Sequence, residues 1–249
     1  ILKGAENLHS DYNCDMKENH KLARKIASES MVLLKNTDDI LPLDKSKKIA
    51  FIGEMAKYPR YQGAGSSLIN PTELDSCYQE FLRNGYKVAY ARGYDKSTDE
   101  PDSKLIASAV ELAKKADVAV VFVGLTEIYE SEGFDRKHIN LPPAHNELIK
   151  AVSACNSNVV VVLSGGSAVS MPWLYDVKGV LNGLLAGQAG GGAMFDILTG
   201  KVNPSGKLSE TYPLKLEDTP SRNNFPGTLL SVEYRESIFI GYRYYDKTE

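Results

Sequence analysis

Cysteine is scarce: the 249 residues contain three, Cys14, Cys77 and Cys155. They lie far apart with no Cys-x-x-Cys pair, which argues against a zinc ribbon or a disulfide framework and fits reduced thiols, tilting the reading toward a reducing compartment. The four histidines, His9, His20, His138 and His145, show no metal-ligand spacing with a third donor nearby, so no metal is expected. No apolar run approaches the roughly 20 residues of a membrane-spanning helix. Neither sign of charge dominates, since 29 Lys plus Arg face 32 Asp plus Glu for a net charge of −3. Without a block of like charge, neither a nucleic acid nor a membrane is an expected partner. A Gly-x-Ser-x-Gly nucleophile elbow is also missing, and Gly165-Gly166-Ser167 does not supply one.

What is present is the composition of a folded protein, 43% hydrophobic and 24% charged. At roughly 100–200 residues per domain, this length allows one large domain or two small ones. Residues 49–52, 118–124 and 159–163 are continuous apolar runs, with weaker versions at 86–91 and 180–185. Such runs without alternation mark strands buried on both faces. Helical spacing over 17–35, 72–83, 103–116, 143–154 and 191–199 falls around and between them. The alternation predicts right-handed crossovers and a three-layer α/β/α sandwich around a mostly parallel sheet of about six strands. From about residue 200 the pattern changes to Pro204, Pro213, Pro220 and Pro226 with polar spacers, which reads as a long strap.

Two connections are too long for plain strand-to-helix turns, residues 53–71 and 125–142. Loops of this length in a compact domain are usually functional, and both leave carboxyl ends of parallel strands, where open sheets bind ligands. The second holds Glu127, Glu130, Glu132 and Asp135, four carboxylates in nine residues. Mutual charge and partial burial would raise the pKa of one of them for general-acid work; a solvated acidic loop is the plain alternative. Asp135 and Arg136 read as local anchors. The first loop, with Gly63-Ala64-Gly65-Ser66-Ser67, lacks the third glycine of a dinucleotide fingerprint and does not open a helix directly after its strand, so no nucleotide cofactor is expected. Its small residues suit a pocket for a hydroxyl-rich ligand or a turn-rich surface. Gly190-Gly191-Gly192 precede a helix and fit either an anion site or close packing on the sheet.

In order along the chain come Ser30-Met31-Val32-Leu33-Leu34-Lys35-Asn36 with Leu41-Pro42-Leu43, the Gly63–Ser67 loop, Glu132-Gly133-Phe134-Asp135-Arg136 with Leu141-Pro142, Asn203-Pro204-Ser205-Gly206-Lys207-Leu208, and Gly241-Tyr242-Arg243-Tyr244-Tyr245-Asp246. This ordered set resembles the second domain of family 3 glycoside hydrolases, the β-glucosidase family. The resemblance implies an α/β sandwich that follows an amino-terminal (β/α)8 barrel carrying the aspartate nucleophile, and often precedes a fibronectin-like domain. It assigns residues 1–36 to an interdomain connection and first helix, 37–212 to the sandwich and 213–249 to a strap leading toward a third domain. The start at Ile1 and the end at Glu249 then read as interior points of a longer chain.

The same resemblance implies that Glu132 is the acid/base of a retaining β-glycosidase, β-glucosidase first, with Glu130 the alternative and Glu127 a third. It places Gln62, Ser66, Tyr129 and Phe134 at the substrate, with Ser66 standing near where some members carry a tryptophan. The partners it implies are a β-linked oligosaccharide or glycoside and the barrel of the same enzyme, and it calls for no cofactor. A non-catalytic carbohydrate-binding or docking module is the competing reading.

Overall fold

A computed structural model describes residues 2–6, 13–133 and 135–248. After a short helix α1 (Leu2–Glu6), helix α2 (Met16–Ser30) begins at Asp15, whose carboxylate accepts the Lys17 and Glu18 backbone N–H groups. That N-cap satisfies two of the donors that open every helix. The helix stops earlier than the periodicity over 17–35 predicts. At Met31 the backbone turns extended, and Val32–Asn36 forms strand β1. The run Met31-Val32-Leu33-Leu34 is too short for periodicity to separate helix from strand. What decides it is a tertiary pairing: β1 lies antiparallel on β6 (Gly179–Asn182) and covers the outer edge of that strand.

The remaining strands are β2 (Ile49–Ile52), β3 (Val88–Ala91), β4 (Val118–Gly124) and β5 (Val159–Ser164). Together the six strands make one sheet in the order β1-β6-β5-β4-β2-β3, parallel except at β1. Every residue of β2, β4, β5 and β6 is buried, as their unbroken apolar runs require. Helices α3 (Cys77–Arg83), α4 (Ser103–Ala113), α5 (Pro143–Ser153) and α6 (Gly190–Leu198) cover the sheet. α2 and α3 pack on α6, while α4 packs on α5. Two connections break the alternation, that from β1 to β2 with a 3-10 turn at Thr37–Asp39 and that from β5 to β6 with one at Leu174–Asp176.

The core is continuous across the sheet. Phe51 meets Phe81 and Phe122 at ring separations of 4.8 and 4.9 Å, and Phe81 meets Phe195 edge-on at 4.9 Å. The three glycines that open α6 serve packing: a β-carbon on Gly191 would lie 2.5 Å from the Asp75 carbonyl oxygen, and one on Gly192 would lie 2.6 Å from Arg24 Nη1. Arg24 ties α2 to α6 through Asp196 and to α3 through Glu80.

Beyond α6 the described residues hold one 3-10 turn (Leu216–Asp218) and a four-residue helix α7 (Tyr242–Tyr245). The first part of this segment returns over the sheet, where the Tyr212 hydroxyl accepts from Asn182 Nδ2 at 2.8 Å. Further on, Leu229, Leu230, Tyr234 and Ile238 are exposed.

Strand order fixes where a ligand belongs. The chain passes from β2 outward to β3, then crosses back to β4 on the other side of β2. That reversal opens a crevice at the carboxyl ends of β2 and β4, the switch point at which open α/β sheets bind ligands. Both long loops leave from it.

Candidate active site

The loop after β2 carries Arg60 to Ser67 and the loop after β4 carries Thr126 to Arg136. Because β2 and β4 are hydrogen-bonded neighbours, the two loops meet above the sheet. The four carboxylates of the second loop take different environments there.

Glu132 is exposed and faces the first loop. Its Oε2 accepts the Ser66 backbone N–H at 2.8 Å. The Ser66 hydroxyl and N–H beside it hold its carboxyl below the ordinary glutamate range. Gly65 makes the approach possible. With φ +83° it sits in a backbone region that favours glycine, and a β-carbon there would lie 2.7 Å from both Cβ and Oε2 of Glu132. Gly63, Ala64, Ser66, Ser67, Glu130, Ser131 and Glu132 line an open cleft of about 290 Å³.

Glu130 is half-buried and fully engaged. Its Oε2 receives Arg60 Nη1 at 2.8 Å, its Oε1 receives the Ser167 hydroxyl at 2.7 Å, and the Gly166 N–H lies 3.0 Å from both oxygens. Glu127 is exposed and lines a neighbouring cavity of about 490 Å³ together with Arg60, Gln62 and Leu68. Asp135 is exposed. Arg136 anchors the loop through the Ala168 carbonyl at 2.8 Å, and no ion pair joins it to Asp135 among the described residues.

The structure thus brings Ser66 and Glu132 together with Glu130 lining the same cleft, and keeps Gln62 and Tyr129 out of it. Gln62 Nε2 donates to the Ile69 carbonyl at 3.1 Å and lines the neighbouring cavity. The Tyr129 hydroxyl donates to Asp99 Oδ2 at 2.8 Å, away from the cleft, and burial with the Asp99 charge pushes its pKa up to about 12. Its ring lies 5.8 Å from that of His138. Phe134 lies outside the described residues. Arg60, Gly166 and Ser167 were not legible as site residues, because their shared partner Glu130 is remote in sequence from all three. The one local signal is an arginine, Arg60, inside a loop whose length marks it as functional.

A cluster of His20, Glu73 and Asp75 brings potential ligand atoms within 4.8 Å of one another, and none of the three lines the cleft that holds Glu132. Hydrogen bonding accounts for two of its members. His20 Nε2 lies 3.2 Å from Asp75 Oδ2, and Nδ1 lies 2.8 Å from Gln188 Nε2.

Residues 31–242 match the glycosyl hydrolase family 3 C-terminal domain. Over 249 aligned residues the chain is 53% identical to thermostable β-glucosidase B of Acetivibrio thermocellus, covering 99% of this chain and 33% of that protein. It is 45% identical over 246 residues to an exo-α-(1→6)-L-arabinopyranosidase of Bifidobacterium longum, covering 95% of this chain and 32% of that one. Among solved structures, a family 3 β-glucosidase of Bifidobacterium adolescentis superposes with a TM-score of 0.93 at 49% identity, over 98% of this chain and 36% of its own. A Kluyveromyces marxianus β-glucosidase in complex with glucose gives 0.86 at 25% identity, over 94% of this chain and 47% of its own. The chain spans about a third of the length of the curated relatives it matches. It belongs to glycoside hydrolase family 3, as a C-terminal α/β domain of that family.

Proposed function

We propose that this chain supplies the acid/base carboxyl of a retaining β-glycosidase, a β-glucosidase first, and that the carboxyl is Glu132. The observation that carries the reading is the contrast between neighbouring glutamates. Glu130 has both oxygens occupied by Arg60, Ser167 and Gly166, whereas Glu132 stands exposed in an open cleft with one backbone N–H on it. Only the second is free to meet a substrate oxygen. Its place at the switch point of the sheet supports the same choice.

Retaining hydrolysis needs a second carboxyl about 5–5.5 Å away to form the glycosyl-enzyme. In this reading that carboxyl is an aspartate on a (β/α)8 barrel of the same polypeptide. Glu132 first protonates the departing glycosidic oxygen; its carboxylate then takes a proton from the water that releases the sugar. The Ser66 hydroxyl and N–H favour the ionised form, which suits the second step. The nearby negative charge of the nucleophile favours the protonated form needed for the first. The exposed Leu229, Leu230, Tyr234 and Ile238 support docking against a further domain. Ser66 lines the cleft as a small residue, so any wall for the leaving group is built elsewhere.

The test is Glu132→Gln in the full-length polypeptide. Loss of general acid catalysis costs about 10²- to 10⁴-fold on a poor leaving group such as the glucose of cellobiose. An activated nitrophenyl glucoside should be spared in the bond-breaking step. Unimpaired hydrolysis of cellobiose would remove the assignment.

A further inference from the structure

Arg60 belongs to no motif of the family resemblance, yet the two long loops meet through it. Its side chain is 8% exposed. Nη1 donates to Glu130 Oε2 at 2.8 Å and to the Leu125 carbonyl, while Nη2 donates to the Glu130 carbonyl at 2.7 Å. One guanidinium therefore grips the start of the β4 loop, the backbone of Glu130 and its carboxylate. From the other side Gly166 and Ser167, in the loop after β5, hold the same carboxylate. Glu130 is thereby fixed between two loops, and two residues later comes Glu132.

A fully extended chain covers at most about 3.6 Å per residue, so Glu132 stands within about 7 Å of Glu130 along the backbone. Movement of one is passed to the other. The demand on that position is strict, because proton transfer needs heavy atoms within roughly 2.6–3.2 Å. Stability alone does not account for the pair, since a buried ion pair is often replaceable by apolar residues without loss. The packed sheet below supplies the core independently. What Arg60 orders is the loop.

We propose that Arg60 is a positioning residue that acts through Glu130 to set where the Glu132 carboxyl stands. The inference rests on the reading of Glu132 as acid/base. Arg60 touches no reacting atom in it. An arginine is required because its planar fork reaches a carboxylate and two carbonyls at once, whereas a lysine offers a single point charge.

The experiment compares Arg60→Lys with Glu132→Gln and the unaltered sequence in the full-length polypeptide. kcat/KM is measured on cellobiose, whose leaving group needs a proton, and on 2,4-dinitrophenyl β-glucoside, whose leaving group does not. Misplacement by about 1 Å costs about 100-fold, so Arg60→Lys should lose about 10- to 100-fold on cellobiose and less than about threefold on the dinitrophenyl substrate. Equal losses on the two substrates would mark a merely structural role, and no loss on either would remove any role; both overturn the inference. If Glu132→Gln separates the substrates and Arg60→Lys does not, the inference alone fails. If Glu132→Gln itself treats them alike, the acid/base reading fails and takes the inference with it. Should Arg60→Lys not fold, Arg60→Met with Glu130→Met removes both charges and carries the same comparison.

Discussion

The Ser66 backbone N–H donates to Glu132 Oε2 across 2.8 Å, joining the loop after β2 to the loop after β4 at the carboxyl edge of the sheet. This bond favours the ionised carboxyl. In the isolated chain, Glu132 should titrate below the ordinary glutamate value of about 4.3. Ser66→Pro, which removes the donor, should raise it toward that value. Carbon-13 NMR titration of the glutamate carboxyls measures both. The sign for stability follows: a depressed folded pKa gives a contribution present above the ordinary value and lost as pH falls through the folded one.

Gly65→Ala tests the same contact by steric means. The added β-carbon would fall 2.7 Å from Glu132 Oε2 in a backbone conformation with φ +83°. Gly65 is exposed, so the core is untouched and the melting temperature should move little. Displacement of the carboxyl should instead lower kcat/KM on cellobiose by about 100-fold in the full-length polypeptide.

His145 sets an acid limit on stability. Buried against Tyr94 and accepting the Gly124 N–H at 3.3 Å, it has its pKa pulled down to about 3 by desolvation. A free histidine titrates at about 6.5, so below that pH the unfolded chain binds a proton that the folded one refuses. Stability is undiminished above about pH 6.5 and should fall between there and pH 3, by at most about 1.4 kcal/mol per pH unit from this group. His145→Gln should flatten that part of the profile, measured by urea denaturation across pH.

Arg24 joins three helices on one face. Its Nε and Nη2 lie 2.6 and 2.9 Å from the Asp196 carboxylate and Nη1 lies 2.9 Å from Glu80, with both acids largely buried. Arg24→Met should leave two carboxylates without this partner and cost about 2–3 kcal/mol, less than a fully buried pair because Arg24 is itself 28% exposed. The same urea denaturation reads it. Glutamine at both Glu80 and Asp196 in the Arg24→Met background should recover part of the loss.

Much of the fold was written in the apolar runs. β2, β4 and β5 are uninterrupted because both their faces are covered, and a chain that alternates such runs with amphipathic helices has few topologies open to it. Strand β1 was not legible, since Met31 to Leu34 fit a helical continuation and only the open edge of β6 makes them a strand. The site shows the same division. Loop length and the cluster of carboxylates pointed to the switch point. The difference between Glu130 and Glu132 depends on Arg60, Gly166 and Ser167, which the strand order brings to Glu130 from elsewhere in the chain. Likewise nothing local foretold that Tyr129 would turn toward Asp99.

The role of Glu132 is read most directly by azide rescue of Glu132→Ala in the full-length polypeptide, with 2,4-dinitrophenyl β-glucoside as substrate. Removing the carboxyl leaves the glycosyl-enzyme without a base to activate water, and a small anion entering the vacated space needs none. The expected result is slow turnover, acceleration by azide and a β-glucosyl azide product of retained configuration, with no such product from Glu127→Ala. Turnover equal to that of the unaltered sequence, or a β-glucosyl azide formed by Glu127→Ala in place of Glu132→Ala, would contradict it.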